Sequence, residues 1–335
     1  MLNTILGSLS SGAGSQGYVG IAHDTSPYIS VYPWSAGFGT KIANPATLPT
    51  GNGGDLSFTT AKDFVAVAHN TTPFVSVYPW SDGFGTKYSN PATLPTGNAF
   101  GVGFSPSGNA IAVGHNVSPF VTAYPWSAGF GTKYANPATL PASLGHQPVW
   151  TPNGNQIAVG HNGDPGVSVY TWSAGFGTKY ADQTPSAIGN GTGVAFNPAG
   201  DAISVGTFTS PYLYVWPWSP GFGTKYTNPG TIPGGEARRI AFTNSGNAIA
   251  VAYLASPYIN AYPWSSGFGT KYADPATIPT DLGFGVGFSS NDDTIAVAYN
   301  ASPYINAYPW SPGFGTKYAN PGTLPTGGGR AIKFI

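Results

Sequence analysis

The chain has 335 residues, of which twelve are basic and twelve acidic, so charged residues make up only 7 % and the formal net charge is zero. Such a surface has no long-range field to attract nucleic acid or an anionic membrane, and we expect neither as a partner. The lack of cysteine excludes disulfides and thiolate metal sites. The hydrophobic fraction of 41 % supplies enough apolar surface for a large core, which predicts a single folded domain.

The N-terminal sequence is the first element along the chain. Residues 1–16 have no Lys or Arg before their short apolar stretch, which makes a poor secretory signal. No run in the sequence approaches the roughly 18 apolar residues of a membrane span. A surface rich in Ser, Thr, Asn and Gly is more typical of extracellular or virion proteins than of cytosolic enzymes. We therefore expect an N-terminal segment at 1–15 and a soluble protein of a virion or the extracellular space.

A long internal repeat fills the rest of the chain. The pentapeptide Gly-Phe-Gly-Thr-Lys occurs seven times at 46-residue intervals, with its lysines at Lys41, Lys87, Lys133, Lys179, Lys225, Lys271 and Lys317. About four short strands with their turns fit in a repeat of this length. The period predicts an all-β, seven-bladed β-propeller with four antiparallel strands per blade around a central channel.

The first repeat is divided between the two ends of the domain, which we place at 16–335. Residues 16–55 supply its three outer strands, and residues 332–335 match the innermost strand. The C-terminal strand should therefore join the first blade and close the ring. The six complete repeats are 56–101, 102–147, 148–193, 194–239, 240–285 and 286–331.

Within the repeat 102–147, four strands are predicted in chain order. Residues 102–104 form an innermost strand a, and 110–115 alternate, with larger side chains on one face and only Ala and Gly on the other, as a strand b packed between neighbours. Residues 120–126 are aromatic and β-branched, as strand c requires, and 130–134 form the outer strand d. The turns between them carry the Gly, Pro, Asn and Ser that turns need.

Two sequence features resemble known propeller families. Phe-Ser-Pro-Ser-Gly at Phe104 to Gly108 resembles the strand and turn signature of WD-repeat propellers, and Tyr-Pro-Trp ends strand c where that family has Trp-Asp. Because the Trp-Asp pair and the Gly-His signature are missing, the chain resembles a divergent WD-like propeller. The near-identical repeats are also similar to propellers of tailed bacteriophages, which implies a virion or tail component.

The repeated polar residues could be either ligands or packing elements. Seven equivalent lysines could form a cationic ring, but aromatic neighbours favour packing of each lysine against a ring. Four equivalent histidines invite a metal hypothesis, yet metal ligands must lie within about 2 Å of one ion and these lie on separate blades. Tyrosine replaces them in two later repeats, which favours packing and predicts no metal site. The histidines are His23, His69, His115 and His161.

Enzyme signatures are missing from the sequence. Glu236 is the single glutamate, and no acidic pair recurs at a spacing that suits general acid–base catalysis. No phosphate-binding loop and no nucleophile elbow are present. We therefore expect no catalytic residues, no cofactor and no enzymatic activity.

The repeats differ most in the residues just before strand a. We expect these residues to form loops around the mouth of the channel, the contact surface that a WD-like propeller implies. Arg and aromatic residues are typical anchors of protein interfaces, whereas random drift of exposed loops is the alternative. The candidate partner-binding residues are Arg238, Arg239, Arg330, Phe100, Phe284, His146 and Glu236.

These observations predict a non-enzymatic propeller that serves in protein–protein interaction. It would be a phage virion or tail component that attaches to other virion proteins. The alternative is a multivalent lectin that binds glycans between its blades. A lectin would use residues that repeat, whereas a docking protein would use residues that do not.

Overall fold

The computed structural model describes residues 17–335, and within them the chain forms 22 strands and no helix. The strands assemble into seven antiparallel sheets. The prediction of an all-β, propeller-like fold is therefore confirmed. None of these described residues belongs to a helix that could cross a membrane. The predicted N-terminal segment 1–15 lies outside the described residues.

The sheets follow the sequence repeat. In chain order the strands are β1 (Gly17–His23), β2 (Ile29–Trp34), β3 (Gly53–Phe58), β4 (Phe64–His69), β5 (Val75–Pro79), β6 (Ala99–Phe104), β7 (Ala110–His115), β8 (Val121–Pro125), β9 (Gly145–Trp150), β10 (Gln156–His161), β11 (Val167–Trp172), β12 (Phe176–Lys179), β13 (Gly191–Phe196), β14 (Ala202–Thr207), β15 (Leu213–Pro217), β16 (Ala237–Phe242), β17 (Ala248–Tyr253), β18 (Ile259–Pro263), β19 (Gly283–Phe288), β20 (Thr294–Tyr299), β21 (Ile305–Pro309) and β22 (Gly329–Phe334). Consecutive strands pair in each sheet, except that β22 pairs with β1.

A fourth strand is formed in one sheet only among residues 17–335, where β12 pairs with β11. In the other six sheets the outer segment makes a single bridge, such as that between Trp126 and Phe130. The reason lies in strand c, where six repeats carry proline, which has no N–H to donate to a neighbouring strand. β11 has Thr171 at this position.

The two ends of the described chain meet in one sheet. β22 pairs antiparallel with β1, with Ile332 opposite Ile21. The C-terminal strand therefore completes the sheet of the first repeat. The inner strands contact one another in the order β3, β6, β9, β13, β16, β19 and β22, and β22 also contacts β3.

The core lies between neighbouring sheets. Trp126 packs edge to face against Phe130 of its own repeat at 5.0 Å and against Tyr88 of the preceding repeat at 5.2 Å. Burial of a large side chain of this kind contributes about 1.5–3 kcal/mol. Tryptophan occupies this position in all seven repeats, and its side chain packs between adjacent sheets.

The repeated polar residues also have structural partners. His115 is fully buried, and its Nε2 is 2.8 Å from the Thr122 hydroxyl oxygen. In β17 the equivalent Tyr253 donates to Asn260 instead. Lys133 donates to the side chain of Asn136, and the equivalent Lys225 donates to Asn228 and also lies 5.7 Å from the centre of the Tyr214 ring, as predicted for these lysines. These contacts account for the repeated positions without a ligand.

Candidate active-site cavity

A β-bulge recurs near the start of every inner strand. In β6 the register shifts between Ala99 and Gly101, so that Phe100 has no partner on β7. Such a bulge turns a side chain out of the regular alternation of the strand. Equivalent shifts occur in all seven sheets, and we call the second residue of each inner strand the bulge ring: Gly54, Phe100, His146, Thr192, Arg238, Phe284 and Arg330.

These positions correct the sequence analysis. Strand a was predicted to begin at residue 102 in its repeat, whereas β6 begins at Ala99. The preceding residues are thus part of the inner strands and not loops; of the candidates, only Glu236 lies just before its strand. The bulge explains the error, because one extra residue breaks the period of two by which a strand is recognised.

The bulge ring lines one cavity of about 290 Å³, together with Arg239. Six of the seven predicted candidates are therefore brought together here. Glu236 is the exception, although its carboxylate binds Arg238. Sequence reasoning missed Gly54 and Thr192, which share the 46-residue spacing with Phe100 and could have been found by that spacing alone.

One wall of the cavity is a series of stacked cations and aromatic rings. The Arg238 guanidinium lies 4.3 Å from the centre of the Phe208 ring and 5.8 Å from that of Phe284. The Arg330 guanidinium lies 4.4 Å from the centre of the same Phe284 ring. Contacts of this kind are worth about 0.5–2 kcal/mol each. The stacking fixes the orientation of both arginines before any ligand arrives.

Each arginine is also paired with a carboxylate. Arg238 Nη2 lies 3.0 Å from a carboxylate oxygen of Glu236, and Arg330 Nη2 lies 2.6 Å from one of Asp24. The cavity therefore carries guanidinium donors but little net positive charge.

Arg239 forms the floor of the cavity. It was predicted to be a surface anchor, but only 9 % of it is exposed, and Nη2 is 3.2 Å from a carboxylate oxygen of the fully buried Asp55. Its position depends on close approach of the inner strands: a Cβ on Gly193 would lie 2.7 Å from the Arg238 carbonyl oxygen. Below the guanidinium is a space of about 10 Å³, enough for about one water and bordered by Lys333.

Among the described residues that line the cavity, His146 is the titratable group that can accept a proton at neutral pH, because the others are arginines. Its Nε2 lies 2.9 Å from the Asn162 Oδ1. Because an amide oxygen only accepts, Nε2 carries the hydrogen and Nδ1 keeps its lone pair. Burial lowers the pKa of His146 to about 4, and the charges of Arg239 and Arg238 contribute to this lowering. The imidazole is therefore neutral at pH 7.

Solved structures with the same fold are similar over almost the whole chain. A candidate 6-phosphogluconolactonase from Bacteroides uniformis matches with a TM-score of 0.70 and 14 % identity, over 96 % of this chain and 100 % of that one. The periplasmic gluconolactonase of Pseudomonas aeruginosa matches with a TM-score of 0.70 and 14 % identity, over 95 % of this chain and 99 % of that one. A Lactobacillus plantarum protein matches with a TM-score of 0.71 and 15 % identity, over 96 % of this chain and 99 % of that one. No family model and no curated protein matches the sequence.

These likenesses show the fold, and they overturn the functional prediction. The matching proteins include a gluconolactonase and two candidate 6-phosphogluconolactonases, whereas the sequence predicted a non-enzymatic virion attachment protein with a lectin as the alternative. Neither a phage protein nor a lectin is among these neighbours. The predictions of a non-enzymatic protein, of a virion role and of a lectin are therefore wrong.

Proposed function

We propose that the chain is a lactonase, an enzyme that hydrolyses a cyclic ester in the bulge-ring cavity. The observation that carries the proposal is the convergence of His146, Arg238 and Arg330, which come from three separate repeats, on one cavity. A neutral base and fixed guanidinium donors are groups that can accelerate ester hydrolysis, the first by activating water and the second by stabilising the oxyanion. The likeness to gluconolactonases supports the same reaction class.

His146 would act as the general base. Nδ1 takes a proton from a water molecule as the water oxygen forms a bond to the lactone carbonyl carbon. When the tetrahedral intermediate collapses, the ring C–O bond breaks and the proton passes from Nδ1 to the leaving alkoxide. The hydrogen bond from Nε2 to Asn162 holds the imidazole in the tautomer that this step needs.

Arg238 and Arg330 would stabilise the oxyanion of that intermediate. Their guanidinium groups are held in place by Phe208 and Phe284 and by their carboxylate partners, so they need little rearrangement when charge develops. Donors fixed in advance at the position of developing charge usually make the largest single contribution to transition-state stabilisation.

We also infer that the seven sheets are the blades of a closed propeller. Support comes from the pairing of β22 with β1 and from the contacts between successive inner strands. Closure is what brings single residues of seven repeats to one point. The 46-residue blade, the domain bounds 16–335, an extracellular location and the lack of a nucleic-acid partner stay predictions.

The proposal is tested by an assay of lactone hydrolysis at constant pH. Glucono-δ-lactone, 6-phosphoglucono-δ-lactone and dihydrocoumarin would be the substrates. We expect hydrolysis of at least one, and a loss of at least about 100-fold in His146→Gln, because general-base catalysis is worth about 10²–10⁴. Leu140→Ala, a change of an exposed side chain, is the control. Full activity of His146→Gln, or no hydrolysis by the wild type, would contradict the proposal.

A further inference from the structure

The lining of the cavity indicates which lactones fit it. We infer that the site selects ligands with a planar, unsaturated or aromatic ring and a single carboxylate, and that it discriminates against polyhydroxylated and phosphorylated sugars. This inference rests on the proposed function for the reaction, but it concerns the ligand class and can be tested by binding alone.

Size and wall chemistry provide the first argument. A volume of about 290 Å³ is near the lower end for small-molecule sites, ~300–1,000 Å³, and a cavity of roughly half that size holds benzene. Phe100 and Phe284 both line the cavity. Planar guanidinium groups and aromatic edges are suited to a flat π-system, which gains from stacking where a puckered polyol does not.

The scarcity of partners for hydroxyl groups is the second argument. The described residues that line the cavity include no Asp, Glu, Asn or Gln. Two of its polar groups are already used: the Thr192 hydroxyl donates to the Ala237 carbonyl oxygen at 2.7 Å, and His146 Nε2 donates to Asn162. A sugar acid would bring several hydroxyls into the cavity, and each hydroxyl buried without a partner lowers affinity.

Charge provides the third argument. The guanidinium groups of Arg238 and Arg330 are paired with Glu236 and Asp24, and Arg239 below them is paired with Asp55. With Lys333, which borders the space below Arg239, the group holds four cations and three carboxylates, so its surplus of one charge suits a monoanion rather than a dianion. A phosphate group would lose its hydration in a cavity that has acidic groups close behind each donor. A carboxylate carries a single charge and fits the bidentate geometry of one guanidinium.

Calorimetric titration with product-like acids that the enzyme cannot hydrolyse tests the inference. The probes are benzoate, gluconate and 6-phosphogluconate. We expect benzoate to bind at least about tenfold more tightly than either sugar acid, the effect of two aromatic contacts. In Phe100→Leu this preference should fall by about threefold to tenfold, because the substitution removes one ring and keeps an apolar side chain. Leu140→Ala is again the control and should change nothing.

The outcomes separate this inference from the proposed function. Tighter binding of benzoate without hydrolysis of any lactone would uphold the ligand class and refute the lactonase activity. Equal or tighter binding of gluconate or 6-phosphogluconate would overturn the inference even where hydrolysis is observed. Failure of all three acids to bind would also overturn it, as would an unchanged benzoate preference in a folded Phe100→Leu variant.

Discussion

Replacement of Arg239 by methionine tests whether one side chain holds together the strands beneath the cavity. From β16 the guanidinium reaches the side chains of Asp55 and Gln147, at 3.2 and 3.4 Å, and the carbonyl oxygens of Thr192 and Phe100, at 3.3 and 3.2 Å. These four residues belong to four different sheets. Methionine keeps much of the length and volume of arginine but can make none of these contacts.

The magnitude follows from the burial of Asp55, whose carboxylate would remain without its cation. Asp55 is fully buried, and within residues 17–335 its two oxygens accept the backbone N–H groups of Leu56 and Val102 besides pairing with Arg239. Removal of one partner from a buried ion pair destabilises a protein by about 3–5 kcal/mol. Lys333 borders the same small space and attracts the carboxylate, so we expect the lower value, about 3 kcal/mol.

Urea unfolding followed by tryptophan fluorescence measures this loss as a change in the free energy of unfolding. The double variant Asp55→Asn with Arg239→Met is the matched control, because replacement of both partners of a buried pair is often neutral. The asparagine introduced in this variant keeps an oxygen that can accept the N–H of Leu56. We expect the double variant to regain most of the stability. A loss below about 1 kcal/mol in the single variant, or no recovery in the double variant, would refute the assignment of Arg239 as the residue that joins these strands.

Three further predictions concern stability. Burial lowers the pKa of His69 to about 4, so the unfolded chain binds more protons between pH 6.5 and 4, and the melting temperature should fall as the pH is lowered through that interval. The slope should be smaller in His69→Tyr with Ser76→Asn, which copies the pair of two later repeats, and an unchanged slope would contradict this cause. Gly114→Ala should destabilise by at least about 3 kcal/mol in urea unfolding, because its Cβ would lie 1.8 Å from a carbonyl oxygen of the next sheet, whereas Gly83→Ala meets no atom within 4 Å and should be nearly neutral. Deletion of 329–335 removes the strand that pairs with β1 and should abolish cooperative thermal unfolding; a cooperative transition close to that of the wild type would refute a closing role for this strand.

The fold could be predicted because period and alternation are properties of the sequence itself. The repeated pentapeptide indicated the number of sheets, and the match of residues 332–335 to an inner strand placed the C-terminus beside β1. The outer strand was predicted in every repeat but forms in one described sheet, because proline at the end of strand c cannot donate a hydrogen bond to it. Thr171, the exception at that repeat position, marks the one sheet among residues 17–335 in which the outer strand forms.

The site could be predicted only in part. Divergence between repeats identified Phe100, His146, Arg238, Phe284 and Arg330, but as a surface for protein partners. No sequence pattern marks a bulge, so the inward direction of these side chains could not be inferred, and neither could the cavity that they line. An enzyme was excluded because local motifs are missing, whereas the bulge ring takes one residue from each of seven distant positions, a pattern that no local motif can record.

The geometry of the bulge ring explains how near-identical repeats can build an asymmetric site. Residues at equivalent positions on the outer strands are separated by a whole sheet, so seven lysines or four histidines cannot meet at one ligand. At the start of the inner strands neighbouring sheets approach closely, since a Cβ on Gly193 would lie 2.7 Å from the Arg238 carbonyl oxygen. Single-residue changes at this one position therefore supply the arginines, the phenylalanines and the histidine of the cavity, while Arg239, Phe208 and Asn162 at other positions complete or support it. Most of the rest of each repeat can remain constant because it packs the sheets against one another and holds that residue in place.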